Sequence, residues 1–286
     1  MSTTAKDKVS VRPFLKWAGG KSKLITQYET FFPKEFKTYY EPFLGGGAVF
    51  FYLKQTRPAF KAVLTDINPD LINTYICVRD RVDKLIALLE EHQQKHNSDY
   101  YYNLRNCHDL KGLEAAARFI YLNKTCFNGL YRVNPKGEFN VPVGKYKNPK
   151  ISNPDLLYTV SKTLQGVEIA ERSFEAVLDY AKTSDDFVYF DPPYYPLSNT
   201  SEFTAYTRNA FRKEDQIRLK EVFAKLASQD VKVMLSNSNC EFIRELYKDF
   251  HIEDILAARY INSNAKKRGM ISEVLVRVKN FCLPIP

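Results

Sequence analysis

The residues best equipped for chemistry are Asp191-Pro192-Pro193-Tyr194. They follow the apolar run Phe187-Val188-Tyr189-Phe190, so the acid stands where a buried strand ends. A carboxylate there accepts a proton or hydrogen bonds. Pro192 and Pro193 carry no backbone N–H and keep the chain extended, which leaves their carbonyls to face a ligand. Tyr194 adds a ring for stacking. The set suits a flat ring bearing an amino group, such as a nucleobase, whose NH2 needs two acceptors. The same four residues also fit a plain strand-ending turn capped by the acid.

Two further groups of residues bear on that choice. Gly45-Gly46-Gly47 falls between a short strand and a helix, where glycine lets the backbone approach a ligand closely. Asp66 lies 21 residues beyond Gly45, at the end of the next strand. In nucleotide-binding folds an acid at that spacing accepts hydrogen bonds from ribose hydroxyls. Phe50 occupies the third glycine's place in a G-x-G-x-x-G fingerprint. That disfavours a dinucleotide and suits a nucleoside without phosphate, such as S-adenosylmethionine. The third group is Phe14-Leu15-Lys16-Trp17-Ala18-Gly19-Gly20-Lys21, which holds the single tryptophan. Trp17 reads either as a core anchor or as part of a loop closing over a ligand. Lys21 reads either as a helix-start lysine or as a partner for a carboxylate.

The elements that must position these residues form an α/β pattern. Thr38–Tyr40 reads as a strand, Ala48–Lys54 as a helix and Lys61–Thr65 as a second strand ending at Asp66. Helical patterning follows over Asp70–His96 and Leu113–Asn123. Asn123–Lys150 is rich in Asn, Gly, Pro and basic residues, and Pro135-Lys136-Gly137 reads as a hairpin tip. The α/β rhythm resumes with strands at Val167–Ala170, Phe187–Phe190, Val231–Leu235, Ile252–Tyr260 and Val274–Val278. Helices are expected over Phe174–Tyr180, Lys213–Ala227 and Glu241–Tyr247. The expectation is one α/β domain over residues 10–69 and 153–280, interrupted by an insertion over 70–152.

Composition narrows the partners. The chain has 42 basic and 33 acidic residues, a formal net charge of +9, with 20 Phe and 19 Tyr. Positive charge tracks phosphates and rings stack on unpaired bases. No apolar run is long enough to span a membrane. The polar stretch Met1–Ser10 points away from secretion. Five scattered cysteines without a CxxC pair read as reduced thiols and offer no zinc site. These features favour a cytoplasmic protein without a metal.

With FLKWAGGK, EPFLGGG, the strand-end Asp66 and DPPY in this order, the chain resembles the Dam-type (D12 class, alpha group) DNA adenine-N6 methyltransferases, from about Arg12 to Lys279. The resemblance implies a Rossmann-like class I methyltransferase sheet with a mainly helical target-recognition insertion carrying a β-hairpin. It implies S-adenosylmethionine as cofactor, bordered by Trp17, Ala18, Gly19, Lys21, Glu41, Pro42, Phe43, Gly45, Asp66, Ile67 and Asp191. Asp191, Pro192, Pro193 and Tyr194 become catalytic, receiving an adenine flipped out of double-stranded DNA.

The insertion becomes the DNA reader. FNGLYR and FNVPVGKY place Phe127, Asn128, Leu130, Arg132, Pro142, Lys145 and Tyr146 on the duplex, and Lys16, in FLKWAGGK, stands where a family residue also reaches a base. Phe127 fills the space left by the flipped base, Leu130 and Pro142 meet thymine methyls, and Arg132 reads guanine. The implied target is GATC. Basic residues in Ser198–Arg212 and Asn262–Arg268 would meet phosphates. The enzyme is expected to act as a monomer that meets the nucleoid through DNA. The alternatives are an inactive nucleic-acid-binding protein, or an RNA or cytosine-N4 methyltransferase on the same fold.

Overall fold

The computed structural model describes residues 10–197, 211–258 and 270–278. Of the two basic segments expected to meet phosphates, all but Phe211 and Arg212 lies outside them. In chain order the elements are α1 (Ile25–Tyr28), β1 (Thr38–Glu41), α2 (Ala48–Thr56), β2 (Lys61–Asp66), α3 (Pro69–Asp80), α4 (Val82–Lys95), α5 (Ser98–Arg105) and α6 (Gly112–Thr125). There follow α7 (Pro154–Leu164), β3 (Glu168–Glu171), α8 (Val177–Tyr180), β4 (Asp186–Phe190), α9 (Lys213–Ser228), β5 (Lys232–Ser238), α10 (Glu241–Leu246), β6 (His251–Ala258) and β7 (Met270–Arg277). They fall into two compact units. One comprises Met1–Gly20, Gly45–Ala59 and Asn68–Glu171; the other Lys21–Leu44, Phe60–Ile67 and Arg172–Pro286.

The second unit holds six of the seven strands, in the order β2-β1-β4-β5-β7-β6, while β3 is grouped with the first. Every residue of β4 is buried, as a central parallel strand covered on both faces requires. β1 pairs in parallel with β2 and β4, and β4 with β5. The carboxyl ends of these four strands therefore share one edge. There lie Glu41, Asp66, Asp191 and, one step beyond the Phe190–Leu235 pair, Ser236. β7 runs antiparallel to β5, and its pairing of Glu273 with Ser238 brings an acid to the same edge. On α9, Leu219, Val222, Phe223 and Leu226 recur at helical spacing and are buried with Val188, Phe190, Val233 and Leu235 in one apolar cluster.

In the first unit, α3 begins at Asn68, whose side chain accepts from the N–H groups of Asp70 and Leu71, with Pro69 in the first turn. The helical stretch expected as one piece over Asp70–His96 is two helices, broken at Arg81 (φ −138°, ψ 31°). The expected hairpin is present in sparer form. Isolated antiparallel bridges join Val133 to Phe139 and Cys126 to Val143, without a continuous ladder. Its tip is a turn closed by Gly137 N–H donating to Asn134 O (2.9 Å), with Gly137 at φ 86°.

Candidate active site and nucleic-acid surface

In the second unit the strand-edge polar groups converge on Asp191. Lys21, buried to 2% exposure, places Nζ 2.7 Å from Asp191 Oδ1. Ser236 Oγ donates to the same oxygen (2.8 Å) and lies 2.9 Å from the Tyr189 hydroxyl. Among the described residues, all of the carboxylate's bonds fall on Oδ1. Asp191 itself is 21% exposed, so Oδ2 is the acceptor it offers to a ligand.

The rest of the tetrapeptide is held from below. Gln216 Nε2 donates to Pro193 O (2.9 Å), and Asn237 Oδ1 accepts from Tyr195 N–H (3.1 Å). Asn237 in turn donates to Gln216 Oε1 (3.0 Å). Gln216, Ser236 and Asn237 are fully buried and satisfied by one another and by the loop. No described donor takes the Pro192 carbonyl. The Tyr194 hydroxyl donates to Glu273 Oε2 (2.7 Å), and Lys21 Nζ sits 4.8 Å from the Tyr194 ring centroid. Burial first, then Asp191, Tyr28 and Glu273, pushes the Tyr194 hydroxyl well above its ordinary range, so it remains a donor.

The other expected residues of this unit divide by exposure. Glu41 is buried and accepts from the Tyr39 hydroxyl (2.8 Å), Pro42 is buried, and Phe43 stacks on Phe174 with centroids 5.5 Å apart. They shape the loop after β1, which Leu44 N–H ties to Thr65 O (3.0 Å). Asp66 is half-buried and Ile67 is 57% exposed, so a ligand reaches both.

In the first unit Trp17 stacks on Tyr131 (5.4 Å, 22°) and Phe119 (6.3 Å, 23°). Gly45 lies against its indole. At φ 46°, a Cβ on Gly45 would come within 2.7 Å of Trp17 Cδ1, so the position requires glycine. Ala18 and Gly19 are exposed. The Lys16 backbone is clamped by the buried Asn123, which accepts its N–H (2.8 Å) and donates to its carbonyl (2.7 Å). Lys16 Nζ then reaches the Tyr146 hydroxyl (3.2 Å).

All eight residues expected to read DNA are exposed in this unit: Lys16, Phe127, Asn128, Leu130, Arg132, Pro142, Lys145 and Tyr146. Phe127 is 49% exposed and Leu130 38%. Arg132 donates from Nε to Asn140 Oδ1 (2.7 Å) and from Nη2 to Asn140 O (3.2 Å), which fixes the guanidinium across the hairpin. Sequence reasoning missed Tyr28, Gln216, Ser236, Asn237 and Glu273 in the one unit, and Asn123, Tyr131 and Asn140 in the other. The polar run Ser236-Asn237-Ser238 ending an apolar strand was a usable signal, of the kind that marked Asp191.

A family model for D12 class N6 adenine-specific DNA methyltransferase matches residues 17–261, a span that includes the strand-end Asp191 and the Pro-Pro-Tyr after it. The chain belongs to this family. The chain is 44% identical over 284 residues to type II methyltransferase M1.LlaDCHI of Lactococcus lactis subsp. cremoris, covering 96% of this chain and 98% of that protein. Type II methyltransferase M.MjaIII of Methanocaldococcus jannaschii is 46% identical over 278 residues, covering 91% and 96%. A DNA adenine methylase of Escherichia coli (strain K12) is 35% identical over 277 residues, covering 94% and 95%. The sheet is accordingly that of a Rossmann-like class I methyltransferase, and the chain is an adenine-N6 DNA methyltransferase. Among the described residues, no group of three His, Cys, Asp or Glu side chains could hold a metal ion, and no helix is long and apolar enough to cross a membrane.

Proposed function

We propose that this enzyme moves a methyl group from S-adenosylmethionine to N6 of an adenine flipped out of double-stranded DNA, within GATC. The observation that carries the reading is the asymmetry of Asp191: Oδ1 is fixed by Lys21 and Ser236, and Oδ2 is offered outward. Residues 10–69 and 153–280 would form the catalytic domain and 70–152 the target-recognition insertion. The protein would act as a monomer in the cytoplasm, associated with the nucleoid through DNA.

The donor set suits the cofactor. Asp66 offers acceptors to ribose hydroxyls, and Trp17, Ala18, Gly19 and Gly45 a ring and close backbone; Lys21 holds Asp191 at the cofactor's edge, and Glu41, Pro42, Phe43 and Ile67 frame the loops. When bound, S-adenosylmethionine supplies an electrophilic methyl group on a sulfonium. An adenine amino nitrogen is a poor nucleophile because its lone pair is delocalised into the ring. Asp191 Oδ2 and the Pro192 carbonyl can accept its two hydrogens and so favour a pyramidal nitrogen, a gain from placement rather than from strong base. Asp191 then accepts the released proton. Tyr194 stacks on the extruded base, which offsets the few kcal/mol of unstacking.

Lys16, Phe127, Asn128, Leu130, Arg132, Pro142, Lys145 and Tyr146 would contact the duplex, with Arg132 reading a base and Lys145 adding charge. Methylation of a plasmid, read by sequencing for modified bases, should find N6-methyladenine in GATC. Modified cytosine or another adenine context would overturn the reading. Asp191→Ala should lower turnover by at least about 10²-fold. It also strands the buried Lys21 ammonium, costing about 3 kcal/mol, the low end for such pairs because Asp191 is 21% exposed. Asp191→Asn keeps an acceptor for Lys21 and separates chemistry from folding. It should be inactive yet melt above Asp191→Ala.

A further inference from the structure

Glu273 is a carboxylate on β7 whose described partners are two phenols and no cation. Tyr194 OH donates to its Oε2 at 2.7 Å and Tyr28 OH to the same oxygen at 3.4 Å. Tyr28 is fully buried beneath this corner. Both hydroxyls are pushed well above their ordinary range, by burial first and then by the neighbouring carboxylates. They therefore stay protonated and keep donating.

The register explains why the acid is there. β7 pairs Glu273 with Ser238, so the strand that supplies the buried polar run under the tetrapeptide also sets the height of Glu273. A carboxylate is costly at a half-buried position unless donors satisfy it. Two phenols facing one oxygen meet that need and fix the far end of the Tyr194 ring. The Lys21 ammonium lies over the ring, 4.8 Å from its centroid.

We propose that Glu273 is a positioning residue for the methyl transfer: it anchors the Tyr194 hydroxyl so that the ring is set in place before the target base arrives. A stacking ring held beforehand loses no rotamer freedom when the base docks. The proposal rests on Tyr194 being the stacking platform. It adds the group that orients it, with Tyr28 as the second donor.

The test is a double-mutant cycle on the full-length enzyme with Tyr194→Phe, Glu273→Ala and the pair, measured as kcat and as KM for S-adenosylmethionine on duplex DNA. A GATC duplex carrying 2-aminopurine at the target adenine serves as a fluorescent report of the extruded base. Each single change should lower kcat about tenfold or more, the worth of one hydrogen bond to a charged group, with KM little changed. The pair should be no worse than the poorer single, and both singles should brighten or shift the 2-aminopurine signal in the same sense. Glu273→Gln keeps an acceptor and should recover most of the rate with unchanged melting temperature. It thereby distinguishes anchoring from folding.

Additive effects in the cycle, or full activity in Glu273→Ala, would overturn the proposal. Tyr194→Ala separates it from the reading beneath it. If that change leaves kcat intact, the stacking role itself fails. If it cripples turnover while Tyr194→Phe and Glu273→Ala stay active, only the anchor fails.

Discussion

At the scale of single residues, the useful signals were those in which the residue type is itself improbable in its place. Asp191, Pro192, Pro193 and Tyr194 at a strand end could be found because acids and prolines do not continue buried strands. Glu273 could not, since an acid in a strand near the chain end reads as an exposed position until the β5–β7 register is known. Lys124 shows the same limit. It sits in the last turn of α6, and burial first, then Lys16 and Arg12, pushes its ammonium down to about 8. In the unfolded chain it would titrate near 10.5. Between those values the unfolded chain binds more protons than the folded one, so stability rises with pH. Below about 8 the penalty for holding the charge is fully present. Lys124→Met should therefore raise the melting temperature at pH 7, and its advantage should shrink between about 8 and 10.5. An advantage independent of pH would mean that packing, not charge, is responsible.

At the scale of elements, the alternation of strands and helices was legible because apolar runs and turn residues punctuate it. The break between α3 and α4 was not. Apolar residues at Leu71, Tyr75, Val78, Val82, Leu85 and Leu89 carry the helical period straight across Arg81, and neither proline nor glycine marks it. The hairpin was found from its Pro-Lys-Gly tip, but Asn140 was overlooked because a cross-hairpin partner depends on register. Arg132→Ala should relax base choice at one position by about 1–3 kcal/mol in competition methylation of variant sites. Asn140→Ala should reproduce part of that loss, and unchanged selectivity in both would remove the hairpin from reading. α4 yields a second expectation. His92 Nδ1 lies 2.7 Å from Tyr100 OH and His96 Nδ1 2.8 Å from Tyr121 OH, and burial pushes both imidazoles below their usual 6.5. The folded state thus binds fewer protons than the unfolded one, and stability is lost as pH falls below about 6.5. Amide exchange over residues 82–125 should quicken first as pH drops from 7 to 5; uniform quickening along the chain would contradict this.

At the scale of the whole molecule, the formal net charge of +9 is the one property composition alone makes relevant to a polyanionic substrate. Net charge does not say where phosphates bind, and the geometry of both units bears this out. Some basic side chains are committed to buried ion pairs: Lys21 with Asp191 and Arg277 with Glu253. Those pairs contribute nothing to counterion release. Lys145 and Lys147, exposed beside the hairpin, are available for it. Each phosphate neutralised adds about 0.9 to the slope of log K against log salt. With about six such contacts, affinity for a GATC duplex should fall about 10³-fold between 50 and 200 mM salt. Lys145→Ala should lower that slope by about one contact while leaving the choice of base unchanged. Arg132→Ala should do the reverse, changing the choice of base more than the slope. A flat salt dependence would rule out the phosphate contacts, and a Lys145→Ala variant that alters specificity would make Lys145 part of the reading surface.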